Sequence, residues 1–350
     1  MKDWQRHLMK ASTTLREAML RIDDLKLANA DVFVVDDNNH LLGSLSDGDI
    51  RRALINGAEM SHRIDCAMNT ECTYAVGSQP NTDVVRYCKQ KSIRFLPLVS
   101  EQKEIIQVID IDFIKGIVPV EAIIMAGGEG KRLLPLTLKV PKPLLPIGGK
   151  PIIEHNIERL IKFGVNHIRI SINYLGNMLQ DHFGDGSDYN IRIDYVHEDQ
   201  PMGTIGAVRK VTDWNSEHIL VMNSDILTDL DFSDFYANFF DSGADLAIAA
   251  TVYSVNVPYA VLETNKGNQV SALSEKPTYN YYSNAGIYLM KREVLSHIPD
   301  NTKYDMPDLI QALMDKGSKV VSYPIRGYWL DIGKMNDYEK AQEDIKHLNL

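Results

Sequence analysis

Residues 122–137 read AIIMAGGEGKRLLPLT: an apolar run ending at Ala126 breaks into three glycines within four positions, followed by a Lys-Arg pair. Gly127, Gly128 and Gly130 let backbone amides turn inward and approach an anion closely. Lys131 and Arg132 add positive charge, and an Arg can bridge two phosphate oxygens. The chemistry implied is a phosphate cradle. It is not a Walker A loop, because no Gly-Lys-Ser/Thr follows a four-residue gap. It is not the dinucleotide fingerprint either, because the third glycine is missing and Pro135 blocks a long helix. Further on, Lys142 sits in Pro-Lys-Pro, and VMNSDIL and WLDIG each end an apolar run on a carboxylate, Asp225 and Asp331. A strand-end Asp alone also suits a turn or a helix cap. VHEDQPMGTIGAV places Glu198 at another strand end and Gly203-Thr204 at a turn into a helix.

These residues need a scaffold that gathers strand ends. A Val-Pro-Val break at 118–120 opens a new domain at Glu121, and strand and helix patterns alternate from there. EAIIMA, HIRISIN, IRIDYVH and HILVMNSD read as strands. IIEHNIERLIKFGV, opened by Pro151 and closed by Gly164, reads as a helix with Ile153, Ile157, Leu160 and Ile161 on one stripe; NMLQDHF and GAVRKVTDW also read as helices. The expected fold is α/β, a doubly wound, mostly parallel, Rossmann-like sheet with helices on both faces. Ligands of such sheets bind at the carboxyl ends of strands, at a switch point, and the residues above all follow strands.

The run GGEGKRLLPLTLKVPKPLLPIGGKP, residues 127–151, resembles the signature of the sugar-1-phosphate nucleotidyltransferases, and the similarity continues over about 230 residues. The resemblance implies that the Gly-rich loop holds a nucleoside triphosphate, that Arg132 braces it, and that Lys142 reaches the reacting phosphates. It implies Mg²⁺ on Asp225 and Asp331, base reading by the segment containing Glu198, Gly203 and Thr204, and sugar-phosphate contacts from Glu275, Lys276 and Asn284. Trp329 is expected to pack beside Asp331. The implied reaction is attack of a sugar 1-phosphate oxygen on the α-phosphorus, with pyrophosphate leaving in line. The nucleophile is already an anion, so the task is to neutralise and align two anions, and no general base is needed. Removing either Asp should cost rate far more than fold.

At the position of Glu198, thymidylyl- and uridylyl-transferring relatives typically carry Gln. An ionised Glu only accepts hydrogen bonds, and guanine offers two adjacent donors, so GTP is the expected nucleotide. The arrangement as a whole resembles guanylyltransferases that make GDP-sugars for bacterial surface glycans, with glucosamine 1-phosphate (on the legionaminic acid route) or mannose 1-phosphate as the sugar. The alternatives are a thymidylyl-, uridylyl- or cytidylyltransferase of the same fold, or a catalytically silent regulatory or assembly subunit.

The first 118 residues form a smaller α+β segment with an internal repeat. TLREAMLRI and DVFVVDDNNHLLGSLSDGDI are echoed by TDVVRYCKQ and IRFLPLVSEQKEIIQVIDIDFI; Val35 matches Val99 and Ser46 matches Asp110, a shared offset of 64 (99 − 35 and 110 − 46). Two such units, each with an apolar face, should pack together. The segment resembles a tandem CBS module, which implies an adenosine-nucleotide sensor or a ligand-free dimerisation unit. Ser46 and Asp49 match the family's ribose- and phosphate-holding pair, whereas Asp110 and Phe113 stand at those places in the second copy.

The chain of 350 residues has a net charge of −10, so no basic surface asks for nucleic acid or anionic lipid. Its N-terminal residues are charged without an apolar core, no stretch reaches the ~18 apolar residues of a membrane span, and Cys66, Cys72 and Cys88 lack metal-ligand spacing. A cytoplasmic homo-oligomer with reduced thiols is expected.

Overall fold

The structure, a computed structural model, describes residues 4–26, 30–77 and 80–348. They form two compact units. One comprises Met1–Val118 with Leu160–Asn166 and Asp185–Arg192, and the other Pro119–Arg159, His167–Gly184 and Ile193–Leu350.

The N-terminal unit contains β1 (Leu8–Lys10), α1 (Leu15–Asp24), β2 (Asp31–Val35), β3 (Leu41–Ser46), α2 (Asp47–Ile55), β4 (Ala75–Val76), α3 (Thr82–Gln90), β5 (Phe95–Val99) and β6 (Ile105–Asp110). They make two three-stranded sheets, β1-β2-β3 and β4-β5-β6. The repeat is carried into the backbone: β2 and β5, and β3 and β6, have bounds that differ by 64, and both hairpins shift register at equivalent places, Val34/Val35 and Leu98/Val99. The two copies meet by reciprocal bonds, Leu41 N–H to the Lys103 carbonyl at 2.9 Å and Ile105 N–H to the Asn39 carbonyl at 3.0 Å. Such reciprocity is the mark of a two-fold relation. Phe33, Val35 and Leu41 of one copy pack with Phe95, Val99, Ile105 and Val108 of the other, the apolar face each hairpin has to bury.

The C-terminal unit continues with β7 (Val120–Met125), a short hairpin of β8 (Pro146–Ile147) and β9 (Lys150–Pro151), α4 (Ile152–Lys162), β10 (His167–Ile172), α5 (Gly176–Phe183), β11 (Arg192–His197), β12 (His218–Asn223), β13 (Ile226–Thr228) and α6 (Phe232–Ser242). There follow β14 (Leu246–Asn256), β15 (Val261–Thr264), β16 (Val270–Ser274), β17 (Thr278–Lys291), α7 (Met306–Asp315), β18 (Val320–Pro324), β19 (Trp329–Asp331) and α8 (Met335–Asp344). Seven strands form one sheet in the order β11-β10-β7-β12-β17-β14-β18. β7 is parallel to β10 and β12, β14 is parallel to β18, and β17 runs antiparallel to both neighbours. All six residues of β7 and of β10 are buried, so the middle of the sheet is covered on both faces.

The chain enters this sheet at β7, winds outward through β10 to β11, then returns to β12 on β7's other side. The order therefore reverses between β7 and β12, which is the switch point where a doubly wound sheet opens a crevice. The Gly-rich loop leaves β7 there, and Asp225 follows β12. The helix expected over GAVRKVTDW is only a 3₁₀ turn, Gly206–Lys210. Its leading amides are spent elsewhere, since Ile205 and Gly206 both donate to the Tyr304 carbonyl at 3.2 Å, and a Cβ on Gly206 would lie 2.8 Å from the Thr302 carbonyl oxygen.

Candidate functional site

The loop after β7 starts anchored and then frees its amides. Ala126 N–H reaches both the carbonyl and the hydroxyl of buried Ser171, at 3.1 and 3.2 Å. The amides of Gly127, Gly128, Glu129 and Gly130 make no hydrogen bond to protein among the described residues. Gly130 takes a left-handed φ of +64°, and its carbonyl accepts from Thr137 Oγ1 at 3.0 Å and Leu133 N–H at 2.9 Å. A Cβ there would sit 3.0 Å from both the Lys142 and Thr137 side chains, so the loop lies directly on Lys142. Successive amides left unsatisfied in a glycine-rich turn are the kind of donor set that anions occupy.

Beneath it, Lys142 is 8% exposed and its ammonium donates to Asp225 Oδ2. The other oxygen of Asp225, Oδ1, is enclosed and has no hydrogen-bond partner. Pairing of β13 with β19 sets Ile226 opposite Asp331, and Ile332 N–H donates to the Asp225 carbonyl at 2.9 Å, so backbone geometry holds the two carboxylates side by side. Burial pushes the Asp331 carboxyl up to about 6. The neighbouring Asp225 charge adds to the rise, against Lys142 and Arg132. Arg132 is exposed, yet its guanidinium and Asp331 Oδ2 both lie 3.4 Å from where a Cβ of Gly333 would stand. Four chain segments thus converge on two cations and two anions.

This donor set fits a hard divalent cation. It presents one buried carboxylate oxygen without a partner beside a second carboxylate held above its usual proton affinity. No cluster of three or more His, Cys, Asp or Glu residues with metal-binding spacing occurs among the described residues. A pair of carboxylates is the share of the shell that an ion such as Mg²⁺ takes from protein, the rest coming from substrate phosphates and water.

Glu198 stands at the loop's other side. Its carboxylate accepts from Met202 N–H at 3.0 Å, and a Cβ on Gly127 would fall 2.5 Å from Glu198 Oε1, so this carboxylate lies directly against the first loop glycine. Burial raises the Glu198 pKa, opposed by the Met202 amide, the Ser171 hydroxyl and the Lys210 charge. Gly203, at φ +76°, would put a Cβ 2.5 Å from the Tyr304 carbonyl oxygen. Thr204 N–H donates to Asp305 Oδ1 at 2.9 Å while Thr204 Oγ1 accepts from Met306 N–H at 2.7 Å. Asp305 stands at the N-cap position of α7, but its carboxylate is spent on Thr204, so the Gly203-Thr204 turn and the α7 start are stapled to each other.

Lys131 is exposed and pairs with Glu129 at 3.0 Å. Glu275 and Lys276, at the turn between β16 and β17, are exposed and make no hydrogen bond or ion pair with a described residue. Asn284 is exposed, and its Oδ1 accepts from Gly286 N–H at 2.9 Å. Trp329 packs as expected, its indole N–H reaching the Ala285 carbonyl at 2.9 Å. In the N-terminal unit, Ser46 and Asp49 form the capping box of α2: Asp49 N–H donates to Ser46 Oγ at 3.2 Å, and Ser46 N–H and Oγ–H donate to Asp49 Oδ2 at 2.8 and 2.6 Å. Arg52 takes the other Asp49 oxygen. In the second copy Asp110 is buried and bound by the Arg94 guanidinium at 2.9 and 3.0 Å. Sequence reasoning missed Ser171 and Asp305. Asp-Met-Pro is a helix-start signal that pointed to Asp305, but only the fold shows what it holds.

Residues 121–347 match the nucleotidyl transferase family and residues 9–56 the CBS domain. Mannose-1-phosphate guanylyltransferase of Mycobacterium tuberculosis is 30% identical over 233 residues, 65% of this chain and 64% of that protein. UTP–glucose-1-phosphate uridylyltransferase of Synechocystis is 30% identical over 244 residues, 63% of this chain and 62% of that protein. The chain therefore spans less than two-thirds of the length of either relative. Among solved structures, HddC from Yersinia pseudotuberculosis matches with a TM-score of 0.52 and 26% identity over 65% of this chain and 99% of HddC. HddC complexed with GMP-PN matches with a TM-score of 0.50 and 25% identity over the same shares. With the switch-point loop and carboxylate pair in residues 121–347, the chain belongs to the nucleotidyl transferase family, preceded by a CBS domain.

Proposed function

We propose that the C-terminal unit transfers a nucleoside monophosphate from a triphosphate to a sugar 1-phosphate, releasing pyrophosphate. The observation that carries this is the meeting of Arg132, Lys142, Asp225 and Asp331 under a loop of unsatisfied amides at the switch point. The loop amides and Arg132 bind the triphosphate, and the buried Lys142 ammonium holds positive charge where the two anions approach each other. Asp225 and Asp331 would hold Mg²⁺, which when bound supplies charge neutralisation across the phosphates. Fixed donors that need no reorganisation align the incoming phosphate oxygen with the α-phosphorus. Lys131 adds charge at the mouth, while Glu275, Lys276 and Asn284 serve the sugar phosphate.

The base we assign is guanine. The Glu198 carboxylate abuts Gly127 and can only accept, which suits the paired donors of guanine. HddC complexed with GMP-PN, and a relative named mannose-1-phosphate guanylyltransferase, support that assignment; the Synechocystis uridylyltransferase speaks for the pyrimidine alternative. Mannose 1-phosphate or glucosamine 1-phosphate is the sugar, for surface glycan precursors made in the cytoplasm. An adenine nucleotide at the N-terminal unit would have to compete for Ser46 and Asp49 with the α2 cap and Arg52; the ligand-free association role needs no such exchange.

The test crosses four triphosphates with several sugar 1-phosphates and reads Mg²⁺-dependent pyrophosphate release. GTP with one of the two named sugars should be fastest. A preference for UTP or dTTP overturns the role of Glu198, and no release with any pair makes the silent-subunit reading the better one.

A further inference from the structure

The segment that carries Glu198 into the Gly203-Thr204 turn has no strand or helix between His197 and Gly206, so its shape must be fixed from outside. Residues 304–306 fix it. Tyr304 N–H donates to the Met202 carbonyl at 3.0 Å, and the Tyr304 carbonyl accepts from Ile205 and Gly206. Between these bonds, Asp305 Oδ1 accepts from Thr204 N–H at 2.9 Å, and Thr204 Oγ1 accepts from Met306 N–H at 2.7 Å. An Asp at a helix N-cap ordinarily bonds the amides of its own first turn. No amide of α7 reaches the Asp305 carboxylate, and the first of them is met by Thr204 instead. A helix that gives its cap to a turn 101 residues away breaks a local rule, and such breaks are expected at functional sites.

The bonds lead on to the carboxylate assigned to the base. Met202, whose carbonyl Tyr304 holds, gives its own N–H to Glu198 at 3.0 Å, and that carboxylate lies against Gly127. We infer that Asp305 is a positioning residue for nucleotide selection, a role that rests on the reading of Glu198 as the group that selects guanine. Its carboxylate fixes the Gly203-Thr204 turn, and through the turn the Met202 amide that aims Glu198. Without that acceptor the Thr204 amide loses its partner and the segment is free to shift. The guanine advantage then falls, while the Gly-rich loop, anchored on Ser171, keeps its hold on the phosphates. The arrangement asks only for an acceptor, since Asp305 makes no ion pair with a described residue.

The test is calorimetry of the full-length protein with Mg²⁺ and either GTP or UTP, with no sugar phosphate present. Asp305→Ala should weaken GTP binding by about tenfold and UTP binding by less than about threefold, the loss of one hydrogen bond being felt at the base. Asp305→Asn, which keeps the acceptor and drops the charge, should restore the wild-type ratio of the two affinities. Asp305→Ser serves if the alanine variant fails to fold. Its hydroxyl can cap α7 but is one bond too short to span to Thr204, so the ratio should fall as it does for alanine. An unchanged ratio in the alanine or serine variant, or an asparagine variant as impaired as alanine, overturns the inference while leaving Glu198 its role. A wild type that binds neither triphosphate, or prefers UTP, overturns the reading of Glu198 and the inference with it.

Discussion

Asp225→Asn separates folding from chemistry at the centre of the site. The substitution keeps shape and removes one charge, with two opposing effects on stability. Lys142 is buried and loses its ion partner, and truncating one member of a buried pair costs ~3–5 kcal/mol. Asp331 lies within reach of Lys142 and takes over part of the pairing, which favours the lower end of that range. Against this, Asp331 is relieved of a like charge. Its rise from 3.8 to about 6 has burial as the first cause and Asp225 as the second. Relief of that repulsion offsets part of the loss. The net cost is ~2 kcal/mol, and at 2–4 °C per kcal/mol for a unit of this size the thermal midpoint should fall by roughly 4–8 °C. Turnover should fall by about 10²–10³-fold, the cost of removing a preorganised electrostatic group from a reacting centre. Differential scanning fluorimetry and pyrophosphate release on one preparation measure both. Turnover near wild type would refute the role given to Asp225, and a collapse of the fold would refute the compensation between Lys142 and Asp331.

Other outcomes follow from separate parts of the structure. Gly203→Ala combines a positive φ with a Cβ 2.5 Å from the Tyr304 carbonyl, so it should destabilise the unit by ~2–4 kcal/mol in denaturant titration, and a loss below ~0.5 kcal/mol would contradict the turn geometry. Glu198→Gln should lower the preference for GTP over UTP by about tenfold or more, since an amide donor then faces a purine donor; an unchanged ratio would take base reading away from this residue. Burial, helped by the Asp49 charge, raises the Asp31 carboxyl to about 6. The native state then keeps a proton that the unfolded chain gives up, so stability is greatest below pH ~4 and falls as pH rises to ~6, by ~2–3 kcal/mol for this group alone. Asp31→Asn should abolish that loss and stabilise the protein at neutral pH. If the variant and the wild type show parallel pH profiles, Asp31 is ionised without penalty.

The architecture was legible where local pattern and global fold agree. The 64-residue offset located both hairpins because each copy repeats the same order of buried strand, turn and second strand, and it extends to matching register shifts. The doubly wound sheet followed from strands alternating with helices, and the loop from its glycines. Pairings across long stretches of chain were not legible. Lys142 and Asp225 are 83 residues apart and meet only through the strand order, and nothing in GTIGAVRK signals that its amides turn to Tyr304 instead of closing a helix. The antiparallel β17 lay in a stretch whose alternation of apolar and polar residues is masked by tyrosines on both faces. Ser46 and Asp49 show that one motif serves two readings: the same two residues three apart that suit a ribose also suit a helix cap, and they cap α2.

The central claim, that the acceptor is a sugar 1-phosphate, is tested most directly by following the α-phosphorus of labelled GTP in the presence of Mg²⁺ and mannose 1-phosphate or glucosamine 1-phosphate. The account predicts that the label enters a nucleotide sugar in step with pyrophosphate release. Label recovered as free GMP, or left in the triphosphate with either sugar and with every other triphosphate tried, would contradict it.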